Sequence, residues 1–146
     1  MTQLIQNLIL GLLLGGVYAL VASGLTLIFG VMKVINIAHG AFLVLASFIT
    51  YSLWSAFGID PLLGILITSP IVFALGWLTY KFAVAPIRNA PMTVTVLLTF
   101  GLALVLEGAM GTIWGNNSTS ITPGYADQSF TLGPLFLPKV NVYGLL

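Results

Sequence analysis

Residues 4–40 read LIQNLILGLLLGGVYALVASGLTLIFGVMKVINIAHG. As a single helix, residues 4–36 would run about 50 Å at 1.5 Å per residue. Bilayer hydrocarbon is only roughly 30 Å thick, so this stretch has to break. The polar groups sit where a break is needed. Lys33, Asn36 and His39, the only histidine in the chain, fall within seven positions between two long apolar runs. Gly30 is a natural helix stop, and Lys33 would lie favourably beside the negative end of that helix. Asn36 is the expected N-cap of the next helix, with His39 in its first turn.

The rest of the chain sets that break in a membrane. Of its 146 residues, 59% are hydrophobic and 5% charged, and mean hydropathy is +1.13. A soluble domain carries about 25% charged residues, so this composition could not cover a water-facing surface. The expectation is an all-α membrane protein, a polytopic transmembrane helix bundle with a broken or capped junction near residues 30–40. A net charge of +1 offers no basic patch for nucleic acid. With no cysteine, disulfides and thiolate metal sites are excluded. The N-terminus MTQLIQNLILG lacks a basic n-region and a small-residue cleavage site, so it reads as retained.

Spans are expected at residues 4–29, 37–57, 62–84 and 92–114, with a fifth starting near 140. The loop at 115–139 is rich in Gly, Pro, Ser, Thr and Asn, which suits turns and a short hairpin. It holds overlapping glycosylation sequons at Asn116 and Asn117. Single crossings put Lys33, Lys81 and Arg88 on one side of the membrane, with Asp60, Asp127 and the N-terminus on the other and Lys139 as the exception. The positive-inside rule makes the first side cytoplasmic.

Within the spans, Gly11, Gly15, Ala19 and Ser23 recur every four residues and suit a close helix-packing seam. Pro70 should kink the third span, with Thr68 or Ser69 engaging the freed backbone groups. Glu107 is the intramembrane carboxylate, near the outer end of the fourth span. Ionisable groups at such depth face a bundle interior, a wet cavity or interfacial water. Two roles remain open for Asn36 and His39. They either hold a helix break together or line a solute path, as discontinuous helices do in transporters. A break at Gly24 instead, with LTLIFGVMKVI dipping back as a half-helix, would bring Lys33 to that path.

The stretch YALVASGLTLIFGVMKVINIAHGAF at 18–42 closely resembles the signature of permease subunits of branched-chain amino-acid ABC transporters. It is similar to the first, or H-type, of their two permease types. Tyr18-Ala19-Leu20, Gly24-Leu25-Thr26, Gly30, Asn36 and Ala38-His39-Gly40 fall on the shared pattern. APIRNAP at 85–91 resembles the family's Arg-Pro-Leu-Arg turn, and TFGL at 99–102 its next helix. Ile37 stands where Phe is common, and Ala85 where a basic residue is usual.

The resemblance implies a multi-pass subunit in the inner membrane, matching the N-terminal half of such a permease. It implies Tyr18, Thr26, Asn36, His39 and Gly40, with Glu107, as candidates for the translocation path. The implied partners are a second permease subunit, cytoplasmic ATPase subunits and a periplasmic solute-binding protein. The implied solute is a branched-chain or related small amino acid. No ATP-binding loop of the form Gly-x-x-x-x-Gly-Lys-Ser/Thr occurs, so hydrolysis would fall to a partner. No catalytic residue, cofactor or metal ligand is expected, and the chain does not read as an enzyme. The competing readings are a secondary carrier or channel using Glu107 and His39, and a truncated, non-functional permease fragment.

Overall fold

The computed structural model describes residues 2–115, 119–125, 128–132, 135–139, 142 and 144. Among the described residues, four helices are long and apolar enough to cross a membrane. They are α1 (Thr2–Met32), α2 (His39–Phe57), α3 (Pro61–Thr79) and α4 (Met92–Trp114). The chain divides into two compact units, residues 1–26 with 122–146 and residues 27–121.

In the first unit, α1 carries no charged residue over its length. Along it, Gly11, Gly15, Ala19 and Ser23 recur every four residues. A Cβ added at Gly11 or Gly15 would meet nothing within 4 Å. Strands β1 (Ser129–Leu132) and β2 (Leu135–Pro138) pair antiparallel, Ser129 opposite Pro138 and Leu132 opposite Leu135. This is the short hairpin expected in the polar loop. Lys139 closes it, its backbone N–H donating to Gln128 O at 2.9 Å and its Nζ to Gln128 Oε1 at 2.7 Å. The sequons at 116 and 117, Asp127 and most of the expected fifth span lie outside the described residues.

The second unit holds the bundle of α2, α3 and α4. Short turns with clear chemistry fix the path from α2 to α3. Gly58 ends α2 at φ 66°, a left-handed conformation that costs glycine nothing, and donates to Trp54 O at 2.9 Å. Asp60 then caps α3, its Oδ1 accepting from Leu62 N–H at 2.9 Å, with Pro61 in the first helical position. Between α2 and α3, Thr50 Oγ1 and Thr68 Oγ1 share a hydrogen bond of 3.0 Å. Thr68 therefore serves as a tie to α2 (Pro70 sits two residues beyond it, inside α3).

Helix α3 passes without a break into a π-helical turn (Tyr80–Val84) and a short 3-10 turn (Ala85–Ile87). Lys81 lies over the Trp77 ring at 4.7 Å and the Phe82 ring at 5.7 Å, cation–π geometry at the helix end.

Where α2 crosses α4, the core is made of alanines. Ala38, Ala41 and Ala103 are at most 7% exposed, with Phe42, Leu102 and Leu106 packed around them. Small side chains let the two backbones approach closely, the main source of attraction between helices in lipid. At the far end of α4, Trp114 stacks on Phe48 at 5.1 Å and donates its Nε1–H to Ser52 Oγ at 2.8 Å. Trp114→Phe keeps the stack and removes the donor. It should lower thermal stability in detergent by about 1 kcal/mol, the usual net value of one hydrogen bond. An unchanged melting temperature would contradict that tie.

Candidate functional site

The junction between α1 and α2 differs from the capped stop expected of it. Helix α1 runs through Gly30 to Met32, because a glycine inside an apolar helix costs only about 1 kcal/mol. The chain leaves the helix at Lys33, whose φ of 56° is unusual for a residue with a side chain. Lys33 still donates its N–H to Phe29 O at 2.9 Å, so the chain turns at the residue that makes the last helical bond. Residues 33–36 are non-helical, and α2 starts at His39.

Asn36 does not cap α2 with its side chain. The N-cap is Ala38, with no side-chain cap bond. The turn is closed by backbone instead, His39 N–H donating to Asn36 O at 3.2 Å and Phe42 N–H to Ala38 O at 3.0 Å. Asn36 sits two residues upstream of the cap position that would reach the orphan N–H groups of the helix. Its side chain lines a cavity.

That cavity, of about 510 Å³, lies within the second unit where the break, the end of α3 and the first turns of α4 meet. Its walls are mostly apolar, including Ile28, Leu43, Phe73 and Trp77, with Asn36, His39, Thr79, Tyr80 and Thr99 supplying polar atoms. Asn36 and His39, three residues apart across the start of α2, are both half-buried there. A mostly apolar concavity with a few convergent polar groups is the usual form of a small-molecule site.

One residue that holds this site was not singled out from the sequence. Thr99, on α4, is 2% exposed. Its Oγ1 accepts from Ile37 N–H at 3.2 Å and donates to Ile35 O at 3.0 Å. It thus brackets Asn36 from both sides. Thr99 is seven residues into α4, so residues 35–37 lie about 10 Å along that helix from its start at 1.5 Å per residue. The break is set into the bundle and does not sit level with its end.

The other expected residues separate. Gly40 and Glu107 line a second cavity of about 270 Å³ between α2 and α4, with Ile37, Val44 and Phe100. His39 and Glu107 therefore belong to different cavities. Tyr18 and Thr26 lie on α1 within the first unit; Tyr18 is exposed and Thr26 Oγ1 donates to Ala22 O at 2.9 Å. Neither is among the residues lining these cavities. Met32, Val34 and Asn36 share the first cavity with Thr79, Tyr80 and Val84. The segments carrying Lys33 and Lys81 thus meet at this cavity, with Arg88 ending the short turn that follows, and Asp60 starts α3 from its other end.

A family model described as a branched-chain amino acid transport system permease component matches residues 7–145. The high-affinity branched-chain amino acid transport system permease protein LivH of Salmonella typhi is 28% identical over 131 residues, covering 84% of this chain and 40% of that protein. The corresponding permease protein BraD of Pseudomonas aeruginosa is 30% identical over 118 residues, 73% of this chain and 37% of that protein. A probable branched-chain amino acid transport permease protein LivH of Methanocaldococcus jannaschii is 32% identical over 94 residues, 63% of this chain and 30% of that protein. The chain spans about two fifths of the length of the first two relatives. No solved structure matches.

Proposed function

The chain belongs to the family of branched-chain amino acid transport permease components, and from that premise we propose that it forms the N-terminal part of a permease subunit in an ABC importer. The imported solute is a branched-chain or related small amino acid. The observation that carries the reading is the cavity at the helix break, apolar on most of its wall and polar at Asn36 and His39. An aliphatic amino acid needs both kinds of surface, hydrocarbon for its side chain and hydrogen-bonding groups for its charged ends. A helix break also places backbone groups beside such a site.

The protein sits in the inner membrane as a multi-pass subunit with Lys33, Lys81 and Arg88 cytoplasmic, by the positive-inside rule. A second permease subunit completes the path. ATPase subunits bind on the cytoplasmic side and supply the energy, and a periplasmic binding protein delivers the solute. A carrier that relays protons between Glu107 and His39 fits less well, because the two line separate cavities.

The test is uptake by vesicles containing the full-length protein with its ATPase and binding-protein partners. Uptake of leucine, isoleucine or valine that requires ATP is the expected result. Uptake that persists without ATP and collapses with the proton gradient would overturn the importer reading.

A further inference from the structure

We propose that Thr99 is the positioning residue of the helix break, its hydroxyl standing in for missing backbone partners on both sides of Asn36. Residues 33–36 have left α1 and not yet entered α2, so beyond Lys33 N–H, which still bonds Phe29 O, their peptide groups have no place in either helix's hydrogen-bond ladder. In hydrocarbon each unpaired group costs several kcal/mol. Thr99 Oγ1 supplies both halves of the remedy through one atom, accepting from Ile37 N–H at 3.2 Å and donating to Ile35 O at 3.0 Å. The residue between those two contacts is Asn36, so the bracket fixes where the Asn36 side chain stands in the cavity wall. His39 follows, since its N–H is bonded to Asn36 O.

The chemistry of this bracket is specific. A threonine hydroxyl has one proton and two lone pairs. Two carbonyl oxygens lie within its reach, Ile35 O at 3.0 Å and Val96 O of its own helix at 3.1 Å. The proton serves one of them at a time. When it turns to Val96 O, Thr99 itself loses nothing, while Ile35 O must find another donor. The clasp on the break is therefore releasable at the cost of rehydrating one carbonyl. Thr95, one turn earlier on the same buried face, bonds only within its own helix to Met92 O at 2.7 Å. Its burial matches that of Thr99, and the difference lies in the break facing one and not the other.

The consequence for transport rests on the permease reading, whereas the consequence for the break does not. The test keeps them apart. This chain has no cysteine, and Val34, beside the break, is 5% exposed. In the full-length protein freed of any other cysteine, Val34→Cys reports whether the break stays closed.

With Thr99→Val, which keeps the shape and removes the hydroxyl, a membrane-permeant maleimide should modify V34C about tenfold faster, as loss of a buried hydrogen-bonding partner requires. Thr99→Ser should return the rate to within about twofold of the parent, because it restores both bonds. ATP-driven uptake should follow the same order, falling about tenfold in T99V and recovering in T99S. Equal V34C rates in T99V and the parent would overturn the proposal.

If T99V does not accumulate, hydrogen exchange of the Ile37 amide in the parent protein decides: protection supports the bracket, and exchange as fast as an exposed loop amide overturns it. If the parent imports no amino acid with ATP, the permease reading falls, and the V34C rates still decide the role of Thr99.

Discussion

Replacing His39 with alanine in the full-length protein is expected to lower ATP-dependent amino-acid uptake by about tenfold, the effect of losing roughly 1.4 kcal/mol of hydrogen bonding at a solute site. The argument starts from the wall of the larger cavity. Most of its lining is hydrocarbon, and among the polar groups His39 offers an imidazole at the first residue of α2. Alanine at that position leaves an apolar surface where the proposed function requires a group that meets a charged end of the solute.

His39→Ala separates two roles. If His39 contacts solute, the half-saturating solute concentration rises while the amount of protein in the membrane holds steady. If it only braces the junction, the protein is lost or melts earlier and the surviving fraction transports with unchanged affinity. Wild-type uptake and wild-type stability together would remove His39 from the site.

A second large effect is expected on the bundle itself, from Gly64→Leu. Gly64 is buried on the face of α3 that meets α2, and even an added Cβ would come within 3.4 Å of Thr50 Cγ2. Thr68, one turn on, makes the 3.0 Å hydrogen bond to Thr50. A leucine side chain cannot enter that space without parting the helices. Overpacking costs typically 1–3 kcal/mol, and separating the two hydroxyls adds about 0.6 kcal/mol. The expected loss is therefore about 2–4 kcal/mol, visible as a lowered melting temperature in detergent. Gly64→Ala should cost far less, since its Cβ sits at the edge of ordinary contact. A G64L protein as stable as the parent would mean that α2 and α3 do not pack along this face.

Much of the helical plan could be read before the structure, for reasons local to each segment. The expected fourth span, residues 92–114, coincides with α4, because Pro91 precedes it and Gly115 follows it. The start of α3 falls one residue before the expected 62, where Asp60 caps the helix and Pro61 takes its first position. The end of α3 was less legible. Residues 62–84 are mostly apolar, and nothing in them signals that the last five wind as a π turn.

The site was only half legible, and the missing half is instructive. Asn36 and His39 stood out because polar residues are rare here, and both do line the cavity. The mode of their placement did not follow. A cap by Asn36 was reasonable from residue type, but the cap position moved to Ala38 once the turn was closed by backbone. Thr99 was hidden for a physical reason. Threonine and serine in apolar helices routinely satisfy themselves by bonding a carbonyl three or four residues back. Thr26, Ser47, Thr95 and Thr112 all do so here. A threonine that also reaches across to another segment looks no different in sequence. Its distinguishing partner lies 62 to 64 residues away.

That separation in sequence bears on how the chain is made. Synthesis and insertion run from the N-terminus, so residues 35–37 reach the membrane well before α4 exists. Until Thr99 arrives, Ile35 O and Ile37 N–H must be satisfied by something else, and in hydrocarbon only water or another protein can oblige. The junction between the first two helices is thus completed only after α4 has been made, although it is among the first parts to be synthesised. It has to wait in a hydrated place, at the bilayer edge or in the insertion machinery, and be drawn inward when the fourth helix docks.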